Sequence, residues 1–421
     1  VFLFHERLNN NPFVILLCFV TIVFTNTRFI TFSIDPYSNF YDYSDGDLSF
    51  VLSYLFLANL CLFLGLNFSK IKKREISMFT SNLRVKIYTP HVFIILVVFA
   101  HIISYYEFPY SVLINYLNVY VLNGESIILM SITFFPIIKL RLSKKATYSY
   151  YLLILLYIIV YTILGRRAVI LNVLIYYVIS QLAFNKNRIK LRLIIYLLLV
   201  IPVSFIVFGL ATILRNQRLM SVYENQDFSF ADMLQTAYSS MLDVNFLDNV
   251  ELFSMVFNRI AFLDYTSYFI VFSDKFEEVF SVRYYWQSIF DNFLTPGFNL
   301  YDSPRVSNAL FLIKDGVAVN FENLMINYQS LQIGIFAELY NVFGYLPSLG
   351  VLFFLGCLFN IKFNNIPLTN HYVTFLRKAL LLFVFYLALI SYGLDWLMIY
   401  AISMYVSLYI IKLYNKVYLK I

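Results

Sequence analysis

Charge is scarce in this chain. Only 13% of its 421 residues are Asp, Glu, Lys or Arg, while 61% are hydrophobic. A soluble globular domain carries roughly 25% charged residues, so that class is excluded and the composition is that of a polytopic membrane protein. Cysteine is scarcer still: Cys18, Cys61 and Cys357 all lie in apolar runs, and no two share ligand spacing. They offer neither a disulfide framework nor a zinc set. The four histidines, His5, His91, His101 and His371, leave the largest polar segment without an imidazole. A general base there has to be a carboxylate, unless His101 reaches the site from the outer half of its span. There is no P-loop, dinucleotide fingerprint, internal repeat or low-complexity tract, and nothing in the residues calls for a cofactor. The formal charge of +7 would suggest nucleic acid, but the cations sit in short loops beside apolar runs, where they act as orientation signals.

What is abundant is apolar and aromatic: 45 Phe and 36 Tyr. A span needs about 20 mostly apolar residues. Such runs fall at residues 12–34, 48–68, 91–107, 125–140, 148–164, 168–184, 191–212, 342–361, 377–392 and 395–413. The expected fold is therefore an all-α bundle of ten transmembrane helices. The run from Phe13 is too long for the core of a cleaved signal and reads as a retained span. The sequence begins at Val1, so a span preceding it would raise the count.

Loop charge orients these spans. With the amino terminus inside, the inner loops collect 21 cations against two acids, Glu6 and Glu75, and the outer side carries the other 22 acids. That asymmetry predicts a multi-pass membrane protein with both termini cytoplasmic. It also divides the chain into an amino-terminal bundle of about seven spans at residues 1–211, one large outer loop at 212–341, and about three spans at 342–421.

The outer loop holds 15 of the 24 acids and only 7 of the 31 Lys and Arg. Across the whole outer side the ten cations are Arg28, Arg166, Arg167, Arg215, Arg218, Arg259, Lys275, Arg283, Arg305 and Lys314. Eight are arginine, whereas the inner split is seven Arg to fourteen Lys. Lysine suffices to retain a loop, but the guanidinium fork grips phosphate or carboxylate bidentately. The bias points to a bound anion, or to pairing with the loop's own acids.

Gly165-Arg166-Arg167-Ala168 forms a tight outer turn and sets two arginines at a helix amino terminus. Cations there oppose the helix dipole unless an anion joins them; lipid headgroups or loop carboxylates are the alternative partners. Arg215 and Arg218 leave span seven on one face, at a helix carboxyl end where a cation is favoured anyway. Arg259 interrupts an apolar run five residues before Asp264 and is either a paired structural residue or a second clamp. Arg28 is either functional within the outer part of span one or snorkels to headgroups. Glu338 stands where the loop returns to the membrane, in Ala337-Glu338-Leu339-Tyr340-Asn341-Val342-Phe343-Gly344. A carboxyl at an apolar boundary has raised proton affinity and suits a base; a helix cap or an arginine partner is the other reading.

Within the loop, helical spacing marks residues 232–246 and 252–263 as amphipathic helices, and residues 295–302 as a turn-rich connection. In the first outer loop Asp42, Asp45 and Asp47 are spaced for a divalent ion but lack the rest of a calcium loop, so no metal site is assigned.

The Gly165-Arg166-Arg167 turn, the single dominant outer loop, Arg259 followed by Asp264, and Glu338-Leu339-Tyr340 to Gly344 together resemble the bacterial oligosaccharide repeat-unit polymerases, the Wzy-type O-antigen and capsule polymerases. The resemblance covers residues 160–360. It implies a GT-C-like glycosyltransferase, independent of metal, that joins repeat units carried on undecaprenyl pyrophosphate. Its expected partners are those lipid-linked oligosaccharides and membrane lipids, with a flippase and a chain-length regulator of the same pathway. In this reading Glu338, Arg166, Arg167 and Arg259 are catalytic, and Arg215, Arg218, Arg28, Tyr340 and Asp264 bind pyrophosphate or sugar. The alternatives are an O-antigen ligase or another enzyme of lipid-linked sugars, the ligase disfavoured by the absence of histidine from the outer loop, and a lipid-linked oligosaccharide flippase, which needs repeat symmetry and a charged path through the bundle.

Overall fold

The computed structural model describes residues 11–21, 45–68, 95, 145–163, 169–183, 235, 239, 262–296, 298–326, 333–366, 372–390 and 393–418. Among these residues the structure is helical and contains no strand. Two of its helices are long and apolar enough to cross a membrane, Gly46–Asn67 and Tyr345–Asn365. The expected helices at 232–246 and 252–263 lie almost wholly outside the described residues, as do the spans at 91–107, 125–140 and 191–212.

The helices, in chain order, are α1 (Pro12–Val20), α2 (Asp45–Asn67), α3 (Lys145–Ile163), α4 (Val169–Ala183), α5 (Phe262–Val271), α6 (Val282–Ile289), α7 (Val306–Lys314), α8 (Phe321–Ile326), α9 (Gly334–Phe343), α10 (Tyr345–Asn365), α11 (Tyr372–Leu389) and α12 (Leu394–Tyr418). A 3-10 turn, Ser273–Phe276, follows α5, and a π turn, Phe290–Leu294, extends α6. Asp45 and Asp47, read from sequence as loop residues, occupy the first turn of α2. A carboxylate is favoured there by the helix dipole.

The main seam is between α2 and α10, which run parallel. Tyr54 of α2 meets Ser348 near the start of α10, and eleven residues later Gly65 meets Phe353 and Cys357 further along it. The backbones approach so closely that a Cβ on Gly356 would lie 2.6 Å from the Leu62 carbonyl oxygen, and one on Gly65 would strike the Phe353 carbonyl. Small residues at such a crossing let dispersion act between main chains, as in membrane helix pairs. The Tyr54 hydroxyl lies 3.0 Å from both the Phe336 carbonyl and the Ser348 hydroxyl, which ties α2 to α9 and α10 at once.

Helix α1 closes the other end of this seam. Asn11 caps it by accepting from the Phe13 N–H (3.0 Å), with Pro12 in the first turn, where a missing N–H costs nothing. The same Asn11 donates to the Leu66 carbonyl at 2.8 Å and satisfies one of the free carbonyls at the end of α2. The Phe13 ring stands edge-on to Phe363 and Phe385, 5.3 and 5.1 Å between centroids, and joins α10 to α11. Helix α10 follows α9 after one residue, Gly344, whose φ of 79° is the conformation that lets the chain break direction there.

Candidate functional site

At the junction of α6, α9 and the first turn of α12, two carboxylates are fully buried: Glu338 and Asp395. Burial of a charge demands partners, and for each carboxylate they come mainly from segments far along the chain. Ser281 caps α6 by accepting from the Tyr284 N–H (3.2 Å), which sets Tyr285 and Ser288 on the inward side. The Tyr285 hydroxyl donates to Glu338 Oε1 in a short bond, and the Leu394 N–H, free at the start of α12, donates to the same oxygen at 2.7 Å. The other oxygen, Oε2, has no hydrogen-bond partner. Burial pushes the Glu338 carboxyl up to about 8, against the lowering effect of the Tyr285 and Leu394 bonds and aided by the nearby Asp395 charge. The Tyr285 phenol is raised well above its ordinary value, first by burial and then by the Glu338 charge, so it remains a donor.

Asp395 joins two helix starts. Its Oδ2 accepts from the Ser288 hydroxyl at 2.7 Å and from the Val306 N–H, the first of α7, at 3.0 Å; its Oδ1 accepts from the Trp396 N–H at 2.7 Å. A carboxylate between two helix amino termini sits where both dipoles favour it. Gly393 makes room: at φ 134° a Cβ there would lie 2.5 Å from Asp395 Oδ1 and 3.3 Å from Val306 Cβ. The Arg305 guanidinium lies over the Trp396 ring, 4.0 Å from its centroid, and its charge acts on Asp395.

A third buried carboxylate, Asp291, is in the π turn, and such turns recur at functional positions. It accepts from the Tyr301 and Ser303 N–H groups, each at 3.0 Å to Oδ2, and folds residues 298–304 back on α6. Asn292 adds bonds to the Ser288 and Ser303 carbonyls at 2.8 and 3.0 Å. The expected turn-rich connection is thus a tightly tied loop, with Asn299 and Asp302 at positive φ.

Of the residues singled out from sequence, Glu338 is at the centre of this arrangement. Tyr340, two positions on, lies roughly 200° around α9 and packs edge-on to Tyr54 (5.1 Å) and Phe50 (6.2 Å) rather than beside Glu338. Asp264 falls in the first turn of α5. Arg28, Arg166, Arg167, Arg215, Arg218, Arg259 and His101 lie outside the described residues. The structure adds Tyr285, Ser288, Asp395 and Arg305. Asp395 carried a usable signal, an acid opening an otherwise apolar helix, which by default marks function or pairing. Comparison with protein-family models, curated proteins and solved structures finds no match.

Proposed function

We propose that the protein is an oligosaccharide repeat-unit polymerase of the outer face of the bacterial cytoplasmic membrane, a metal-independent glycosyltransferase acting on sugars linked to undecaprenyl pyrophosphate. One observation carries the reading: a buried carboxyl with one oxygen fixed by two donors, the other unpartnered, and proton affinity raised to about 8. A base works best with a pKa near the working pH, and a sugar hydroxyl needs such a base to become a nucleophile.

In the proposed step Glu338 Oε2 takes the proton of the acceptor hydroxyl on a single lipid-linked repeat unit. The hydroxyl oxygen attacks the anomeric carbon of the growing chain, the bond from that carbon to the pyrophosphate oxygen breaks, and the pyrophosphate lipid leaves with the electron pair. Arg166, Arg167 and Arg259 stabilise the departing charge; Arg215, Arg218 and Arg28 hold the rest of the lipid-linked substrate. The orientation is supported by charge along two helices. Lys362 in the last turn of α10, and Lys412 and Lys416 near the end of α12, occupy the ends remote from Glu338 and Asp395, as a cytoplasmic position for those ends requires.

The test is purified protein in lipid vesicles with a synthetic pyrophosphate-linked repeat unit, read for chain length with and without chelator. A ladder of products insensitive to chelator is expected. Glu338→Gln, Arg166→Ala and Arg167→Ala each abolish the ladder while leaving single repeat units intact. A normal ladder from these variants sinks the assignment. Transfer to an acceptor that carries no pyrophosphate lipid would mark a ligase instead.

A further inference from the structure

Helix α6 is built inside out. Its buried side presents Tyr284, Ser288 and, in the π turn, Asp291, all hydrogen-bonded. Its exposed side presents Val282 and Trp286, at 67% and 65% exposure. The loop tied back by Asp291 exposes Phe298, Leu300 and Tyr301, at 58%, 63% and 52%, with Asn299 and Asp302 exposed between and after them, and the Tyr301 ring rests edge-on against Phe290 at 5.4 Å. Water would favour the opposite arrangement, since large apolar patches in solution mark interaction sites.

What covers this face follows from where α6 is fastened. Ser288 binds Asp395 in the first turn of α12, and Glu338, bound to Leu394 of that same turn, precedes the start of α10 by seven residues. The apolar face therefore lies level with the starting ends of α10, which is long enough to cross a membrane, and of α12, which exposes Met398 near its start and Tyr405 further along. That level is the boundary between hydrocarbon and headgroups, where Trp and Tyr concentrate. The exposed Arg283 next to Val282 supplies a cation for lipid phosphates.

We propose that the face formed by Val282, Trp286, Phe298, Leu300 and Tyr301 is seated in the bilayer interface, so that α6 and its loop form a lipid-embedded rim beside the buried carboxylates rather than a solvent-exposed cap. This holds whatever reaction the carboxylates perform.

Trp286 and Trp396 are the two tryptophans of the chain, so Trp396→Phe leaves Trp286 as sole reporter. The full chain in phosphatidylcholine and phosphatidylglycerol vesicles is read for fluorescence with lipids brominated at successive acyl positions, and separately with aqueous iodide. Emission quenched at least twofold by brominated lipid, most by bromine near the headgroup, and unaffected by iodide is the expected result. Quenching by iodide alone places the face in water and overturns the proposal. Resistance to both quenchers places it against protein, a second copy included, and overturns it equally. If Trp396→Phe fails to fold, the difference in emission between the unaltered chain and Trp286→Phe reads the same outcomes.

Discussion

The α2–α10 seam and the carboxylate knot at the start of α12 hold helices together by opposite means. Along the seam, Gly65 and Gly356 remove side chains so that main chains touch, and the attraction is the sum of many weak dispersion contacts. In the knot, Glu338, Asp395 and Asp291 bring carboxyl groups into an apolar setting; donors from distant segments hold Glu338 and Asp395, and the loop that follows holds Asp291. Close fit dominates the first, beside the Tyr54–Ser348 bond; hydrogen-bond partners specify the second. A seam of that kind tolerates any pH and performs no chemistry, whereas the knot carries a titratable group whose state matters.

Substitutions can separate the two. The largest effect is expected from Glu338→Gln, which keeps an acceptor for Leu394 and the side chain's shape yet removes the proposed base: the proposed polymerisation in vesicles should fall by about 10²–10⁴-fold with the thermal midpoint near that of the parent. Gly356→Leu should do the reverse in kind. Its side chain meets the Leu62 carbonyl and the Leu66 N–H within 2.6 and 2.8 Å, and overpacking of this sort costs roughly 1–3 kcal/mol or more, read as loss of the monodisperse peak in size-exclusion chromatography. Asp395→Leu leaves the Ser288 hydroxyl and the Val306 N–H buried without an acceptor, at about 1–3 kcal/mol of stability, measurable in a thermal scan.

The last effect is in pH. Because the carboxyl of Glu338 is raised from its ordinary 4.5 to about 8, the folded state favours its protonated form. The stabilisation is complete below 4.5 and is lost as pH rises through about 8, so the thermal midpoint should decline across that window and Glu338→Gln should flatten the decline. Turnover in the proposed reaction runs the other way, rising with pH on a limb near 8, since that reaction needs the ionised carboxylate. An activity profile with no such limb would separate Glu338 from the chemistry.

Much of the helical framework was legible from apolar run length. The apolar runs at 48–68 and 342–361 correspond to the helices Asp45–Asn67 and Tyr345–Asn365. Likewise 148–164 and 168–184 correspond to Lys145–Ile163 and Val169–Ala183. Such runs are local, so one stretch of chain reveals them. Glu338 was legible for a related reason, a carboxylate at an apolar boundary. Its partners were not, because Tyr285 and Leu394 lie 53 and 56 residues away along the chain, and no periodicity reports a pairing at that range. Asp395 was counted only as an outer acid, and Arg305 only as one of several outer arginines, because their meeting over Trp396 depends on the packing of α7 against α12. Tyr340 enters only through the Glu338-Leu339-Tyr340 stretch of the resemblance, and helical geometry turns it towards Tyr54 and Phe50.

The Tyr54–Ser348 bond joins residues 294 positions apart. A ribosome adding roughly 5–20 residues per second needs about 15–60 s to deliver the second of these after the first. During that interval the segment around Gly65 is already synthesised, with its notched side awaiting a mate that does not yet exist. Assembly of this protein is therefore paced by translation as well as by affinity, and a temporary neighbour, lipid or insertion machinery, has to occupy that groove until the late helix arrives and displaces it.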